Sequence, residues 1–313
     1  MINYIIRRIL VSIPILLIVL TLIFFLVRII PGGPAMAVLG DYASQEAIKA
    51  LEKEMELDLP IWKQYTKFLT NLLHGDFGKS MINGSPIGPS IARVLPYSLE
   101  LTIAAILIGI IFGVPLGVVA ALKRNSIFDY ICRTLSLTGI SIPSFYLGIL
   151  LMLFFSIRMD WFPVMGGGDI KNLYDNLRHL FLPSLTLGLL MTAYITRTTR
   201  SSVLNVLGED YVRTARAKGL PERLVIYGHA LRNALVPVVS FIGVYAILLI
   251  GSSVLVEVTF SRPGLGKLMV GAIGQRDYMT LQSVMVIYAG LVVLINLLTD
   301  LSYGLIDPKI RYD

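Results

Sequence analysis

Along much of this chain apolar residues run almost unbroken, and the polar segments between these runs differ sharply in character. A helix crossing about 30 Å of hydrocarbon takes roughly 20 mostly apolar residues. Segments near residues 9–29, 97–122, 131–157, 181–196, 235–256 and 281–303 meet that requirement. The fourth is the shortest and carries scattered threonines. The first follows Arg7 and Arg8, is too long for a signal-peptide core, and has no small-residue cleavage site behind it, so a retained helix is expected. The pattern predicts an all-α membrane protein with six transmembrane helices.

Two polar stretches carry helical grammar of their own. Within residues 31–95, "SQEAIKALEKEMELDLP" opens on Ser44 as N-cap and repeats apolar residues at Ile48, Leu51 and Met55. Pro60 suits the first position of a second helix bearing Trp62, Tyr65, Phe68, Leu69 and Leu72, closed by Gly75. Two such amphipathic helices either cap the bundle or dock a partner. Between the fourth and fifth spans lies "EDYVRTARAKGLPERL", residues 209–224. Glu209 and Asp210 complement the positive end of a helix dipole, Arg216 and Lys218 the negative end, and Gly219 followed by Pro221 is a stop. This predicts a helix of about ten residues, some 15 Å long. Pro221 can open a second helix, with Leu224, Val225 and Leu231, leading into the fifth span. As a bare pattern, the short helix fits a lever across the end of a bundle or an interfacial helix held by anionic lipid.

Composition narrows the class. Of 313 residues 55% are hydrophobic and 15% charged. A soluble domain could not hide that much apolar surface. The 27 Lys and Arg against 20 Asp and Glu give +7, which in such a chain orients it across a membrane rather than binding nucleic acid. Lys123, Arg124, Arg197, Arg200, Arg213, Arg216, Lys218, Arg223, Arg232, Lys309 and Arg311 fall on the same side as Arg7 and Arg8. Both termini and the 209–224 helix are then cytoplasmic. The outer loops spread their basic residues over greater length, offset by acids such as Asp41, Glu46, Glu52, Glu54, Glu56, Asp58 and Asp76. A single cysteine, Cys132, allows no internal disulfide.

Catalytic motifs are absent. "GDFGKS", residues 75–80, contains Gly-Lys-Ser, but Leu73 stands where a phosphate loop needs glycine, and the topology puts it outside. His74, His179 and His229 have no metal-ligand spacing, so no metal site is expected. No Gly-x-Ser-x-Gly elbow occurs. Gly109, Gly113 and Gly117 recur every fourth residue, a strip on which another helix can approach closely, while Pro115, Pro143 and Pro237 invite kinks. Either feature serves plain packing or a gated pathway. The ionisable or amide groups inside spans, Glu100, Glu257, Asn296 and Asp300, all lie toward span ends. A proton-driven carrier would place acids or histidine at mid-membrane, so the energy source is expected elsewhere.

The run "EDYVRTARAKGLPERLVIYGHALRNALVPVV" closely resembles the cytoplasmic loop of binding-protein-dependent ABC importer permeases of the dipeptide, oligopeptide and nickel branch. The general family pattern is Glu-Ala-Ala, three residues, Gly, then Ile-x-Leu-Pro. Ala215 and Gly219 match it, Arg213 and Thr214 replace the usual Glu and Ala, and His229-Ala230-Leu231-Arg232 replaces Ile-x-Leu-Pro, as is typical of the peptide branch. "YIIRRIL", "IPGGP", "ELDLPIWKQY", "HGDFGKS", "LPYSLELT", "GVPLGVVAALKRNSIFD", "SIPSF", "LPSLTLG", "TRSS", "FSRPGLGKLM", "RDYMTLQ" and "NLLTDLSYGLIDPKIRY" look like the branch's other landmarks, in order along the whole chain.

The resemblance implies a type I, MetI-like transmembrane fold in a bacterial or archaeal cell membrane. Residues 1–30 would form the first span, 31–95 an extracytoplasmic segment, and 96–313 a five-helix core with a cytoplasmic coupling loop at 200–232. A coupling helix of Glu209, Asp210, Tyr211, Arg213, Thr214, Ala215, Arg216, Ala217, Lys218 and Gly219 would seat on an ATPase. Phe260, Arg262, Pro263, Gly264, Leu265 and Gly266 would meet a binding protein or shape an outer gate, and Ser141, Ser144, Asn296 and Asp300 could line the path. The implied partners are a second, related permease in a heterodimer, two ATP-binding subunits, an external solute-binding protein and membrane lipid. ATP and Mg would sit on the ATPases, with no cofactor on this chain. Short peptides are the expected substrates, with nickel chelates, glutathione or oligosaccharides as alternatives. A different class, an ion-coupled carrier acting alone, should show an inverted repeat, and none is visible.

Overall fold

A computed structural model describes residues 2–29, 35–36, 39 and 43–306. Among them regular structure is helical, apart from an isolated antiparallel bridge between Lys79 and Pro86. In chain order the helices are α1 (Ile2–Arg28), α2 (Gln45–Glu54), α3 (Ile61–Leu73), α4 (Ile87–Leu122), α5 (Ile127–Ser141), α6 (Ser144–Leu151), α7 (Leu173–Leu207), α8 (Asp210–Ala217), α9 (Leu231–Thr259), α10 (Leu265–Gln275) and α11 (Tyr278–Ile306). Two π-helical turns, Met152–Arg158 and Leu224–Ala230, extend α6 and lead into α9. Five helical runs are long and apolar enough to cross a membrane, and the bent pair α5 and α6 makes a sixth when counted as one span.

Two expected spans come out differently. The third, expected to be continuous over 131–157, is broken, with α5 and α6 bent by 105°. Pro143 lacks the N–H that would continue the helix, and it forces Ile142 into an extended conformation (φ −85°, ψ 126°). The fourth, expected over 181–196, extends over all 35 residues of α7. Its most apolar window is 61% buried, against 6–33% for the other spans. Polar residues of α7 such as Asn176, Ser184, Thr186 and Thr199 are buried. They lower its hydropathy without exposing it to lipid, which is why the apolar pattern stops short of its ends.

The chain divides into two units. One comprises Ile6–Pro96 and Gly264–Leu294. Here Ser44 caps α2 by accepting from the Ala47 amide at 3.2 Å, and Pro60 stands just ahead of α3. Phe24 of α1 is fully buried against Tyr65 and Phe68 of α3. Thr21 and Tyr65 share a 2.6 Å hydrogen bond, and Arg28 Nε donates to Gln64 at 2.9 Å. Asp277 caps α11, accepting from the Thr280 amide and hydroxyl, and also accepts from the Ser80 hydroxyl and the Met81 amide, holding the chain there.

The other unit is built on Tyr97–Pro263 and the chain from Ile295. At its centre α7 packs against α9, α5 and α6. Leu101, Ala105, Leu182, Leu187, Met191, Ile195, Val238 and Val256 form its core. The glycine strip does what its spacing predicts. A Cβ on Gly109, Gly113 or Gly117 would meet Met191, Ile195 or Thr199 of α7 at 2.3, 2.8 and 2.6 Å, so α4 and α7 lie closer than side chains would permit.

Candidate functional site

The charged stretch at 209–224 forms the short helix its punctuation predicts. Glu209 occupies the N-cap with extended backbone, and Asp210 lies in the first turn. Gly219 ends the helix at φ +76°, the left-handed region that glycine enters without penalty. Two side chains hold α8 in place, since Val212 and Ala215 are buried with Val225 and Ala230 of the following π-turn. Positions 212 and 215 share one face, three residues apart. The opposite face presents Asp210, Tyr211, Arg213, Thr214, Arg216, Ala217 and Lys218, all exposed, so of the ten expected coupling residues Ala215 alone points inward.

The charges on that face are organised. Arg216 donates to both oxygens of Glu222, at 2.7 and 3.2 Å, bracing α8 against the turn behind it. The guanidinium holds the Glu222 carboxyl below its ordinary range, first through these hydrogen bonds and then through its charge. Arg213 pairs with Asp210 at 3.5 Å, and Asn233 donates to the Tyr211 hydroxyl at 2.9 Å, tying the helix to the start of α9. The result is a polar, mixed-charge surface on an anchored helix, suited to docking a polar groove.

The second group of expected residues divides between the two units. Phe260 and Arg262 lie in the unit built on Tyr97–Pro263, and Arg262 is wholly buried. Its guanidinium donates to Glu100, to Asn176 Oδ1 at 3.4 Å and to the Gly167 carbonyl at 3.2 Å, and lies over the Tyr97 ring at 5.2 Å. Asn176 donates to the other Glu100 oxygen at 2.7 Å, and Ser98 donates to Glu257 at 2.7 Å. The Arg262 side chain therefore does not face outward in this conformation. It fastens the loop after α9 to the 166–168 turn, where a Cβ on Gly167 would strike Pro263 at 2.5 Å. In the other unit Gly264 caps α10, and Leu265 is buried with Ile87, Ile91 and Val284.

The expected path residues are scattered. Ser141 ends α5 exposed, its hydroxyl donating to the Leu137 carbonyl at 2.9 Å, and Ser144 opens α6 buried. Asn296 is exposed on α11 and Asp300 half-buried. No hydrogen bond joins either serine to Asn296 among the described residues. Sequence reading noted Glu100 and Glu257 as costly groups but not their partners, because Arg262 lies 162 positions from Glu100. The Asp129–Arg200 ion pair between α5 and α7, at 2.5 Å, was missed for the same reason. No group of three or more His, Cys, Asp or Glu is placed to hold a metal among the described residues.

Comparison with known proteins bears on this arrangement. The family of binding-protein-dependent transport system inner membrane components matches residues 113–312, and the N-terminal region of such components matches residues 1–102. The glutathione transport system permease protein GsiC of Salmonella typhimurium (strain LT2) is 42% identical over 313 residues, covering the whole of both chains. Those of Pectobacterium atrosepticum and Escherichia coli (strain K12) are 43% and 41% identical over 312 residues, again covering both chains in full. In fold, the chain is similar to an inward-facing structure of the MetNI methionine ABC transporter, with TM-score 0.56 and 21% identity over 69% of this chain and 96% of that one. A crystal structure of an amino acid ABC transporter with histidines aligns with TM-score 0.52 and 17% identity over 69% and 93% of the two chains. The full-length likeness to transport permeases, carried on a bundle of membrane-spanning helices, shows that this chain belongs to the family of binding-protein-dependent transport system inner membrane components and is the permease subunit of an ABC importer.

Proposed function

We propose that this subunit forms half of the translocation path for short peptides. It pairs with a second, related permease, takes its power from two ATP-binding subunits, and receives solute from an external binding protein. The observation that carries this reading is α8, an exposed mixed-charge helix fixed to the bundle by Val212 and Ala215. A lever needs both properties, a face for the partner and a stiff attachment to what it moves. Residues 209–219 would contact the ATPase, and movement would pass through Val225 and Ala230 into α9. ATP and Mg belong on the partner subunits. Both termini and the 200–232 loop would be cytoplasmic, the 31–95 segment external, and Phe260 to Gly266 would shape the outer gate. Relatives 41–43% identical along their whole length are glutathione permeases, and glutathione is a tripeptide, so it is the first substrate to test.

The test has two stages. The tagged chain, purified in mild detergent, should bring down a second permease and two ATPases, and replacing Arg216 and Gly219 should release the ATPases while the permeases stay together. A chain that emerges alone, or as a homodimer without ATPase, refutes the assembly. The reconstituted complex with its binding protein should then take up labelled glutathione or a dipeptide only when ATP is supplied. Uptake of neither, alongside ATP-driven uptake of a nickel chelate or an oligosaccharide, refutes the peptide reading.

A further inference from the structure

Where α5 and α7 meet at the Asp129 end, their side chains enclose a recess of about 290 Å3. This lies near the lower end of the roughly 300–1,000 Å3 typical of small-molecule sites. From α5 it takes Cys132, Arg133, Ser136 and Leu137, and from α7 Thr196, Arg197, Arg200 and Ser201. On both helices the spacing is i, i+1, i+4, i+5, so each contributes one continuous face.

The recess is strongly basic. It holds three guanidinium groups and no carboxylate lines it. The nearby Asp129 is already engaged, its Oδ1 accepting from Arg200 Nε at 2.5 Å and its Oδ2 from Arg200 Nη2 at 2.7 Å and the Asn125 amide at 3.0 Å. Arg197 makes no hydrogen bond or ion pair among the described residues, and Arg133 makes no hydrogen bond among them, its guanidinium standing 5.7 Å from the Tyr130 ring and its charge acting on Asp129 through space. Ser136 and Thr196 are 7% and 3% exposed, and neither hydroxyl bonds to another protein group among the described residues. Two arginines without a hydrogen bond and the hydroxyls of two buried residues converge on one space among the described residues. That donor set matches a tetrahedral oxyanion, and the planar guanidinium favours phosphate in particular.

The rim identifies the source of the phosphate. Leu137, which lines the opening, is 55% exposed, and Ile131 and Leu135 on the same helix are 49% and 65% exposed. All four residues from α5 lie within three turns of its start at Ile127, next to the short loop bearing Lys123 and Arg124, which puts the recess toward one membrane face with exposed apolar surface beside it. We propose that this recess binds the headgroup phosphate of an anionic phospholipid, whose acyl chains lie along the apolar face of α5. With no carboxylate in the lining, a choline or ethanolamine headgroup has no partner for its ammonium, so an anionic lipid is favoured over a zwitterionic one.

The purified importer complex, delipidated in a neutral detergent, is titrated with phosphatidylglycerol, phosphatidylcholine or inorganic phosphate. Retained lipid is counted by native mass spectrometry and unfolding followed by temperature. Phosphatidylglycerol should be retained at least about tenfold more than phosphatidylcholine, and should raise the unfolding temperature by several degrees. Arg133→Gln and Arg197→Gln should each lower retention several-fold, while unfolding in phosphatidylcholine stays as in the parent. Equal retention of the two lipids, or retention unchanged in both variants, overturns the proposal. So does stabilisation by inorganic phosphate equal to that by phosphatidylglycerol with no lipid retained, which would make the recess a site for a free anion.

Discussion

At the residue scale, Gly219 shows how one position can be required for conformation alone. Its φ is +76°, yet a Cβ there would meet nothing within 4 Å. Any loss on substitution therefore arises from backbone strain of about 1–2 kcal/mol, not from a clash. Asparagine tolerates the left-handed region best among side-chain-bearing residues. ATPase retention by the purified complex should fall in the order Gly219, Gly219→Asn, Gly219→Ala, Gly219→Val, with overall unfolding temperature little changed. Valine performing as well as asparagine would show that the end of α8 plays no part in coupling. The Arg216–Glu222 pair adds a pH dependence. The Glu222 carboxyl is held below its ordinary value, so the bracing is complete above the unfolded value of about 4.3 and is lost as pH falls through the lower folded value. Hydrogen exchange at residues 217–220, corrected for intrinsic rates, should rise as pH drops below about 4.3, and Glu222→Gln should raise it at neutral pH and flatten the acid response. A parent protein whose exchange there is unchanged by acid would remove the pair from the account.

At the element scale, the apolar pattern gave most helices, and its failures share a cause. Hydropathy assumes that a spanning helix faces lipid, whereas α7 faces protein, and its buried Asn176, Thr186 and Thr199 hide its true length. Pro143 marks a break from sequence alone, but whether the chain kinks or turns by 105° depends on what packs on either side. Caps read well because they are local, as Ser44 and Gly219 show. Arg262 with Glu100 did not, because contact order is invisible to pattern. The glycine strip was legible as spacing, and the structure adds which glycines matter. A Cβ on Gly117 would lie 2.7 Å from the Thr196 carbonyl, which is backbone and cannot yield, while Gly251 in α9 has nothing within 4 Å. Gly117→Ala should thus lower the unfolding temperature by an amount equivalent to about 1–3 kcal/mol. Gly251→Ala should leave it unchanged or raise it, by up to about 1 kcal/mol from helix propensity. A reversed order would mean that α4 and α7 are not seated as described.

At the scale of the whole molecule, everything proposed for α8 depends on which face of the membrane it occupies. Its proposed place inside rests on the basic residues of 197–232 and the pair Lys123 and Arg124, because short loops rich in Lys and Arg are retained in the cytoplasm. The single cysteine makes this directly measurable. In a Cys132→Ser background, Lys218→Cys and Asn83→Cys each put one thiol at an exposed position, the first just after α8 and the second in the 31–95 segment. A membrane-impermeant maleimide should label Asn83→Cys in cells whose outer barrier has been opened, and Lys218→Cys only in inverted vesicles. Protection of Lys218→Cys in those vesicles once ATPase subunits are added back would place the partner on the helix itself. The opposite labelling pattern would put α8 outside, where no ATP-binding subunit can reach it, and its exposed charges would then have to meet the binding protein instead.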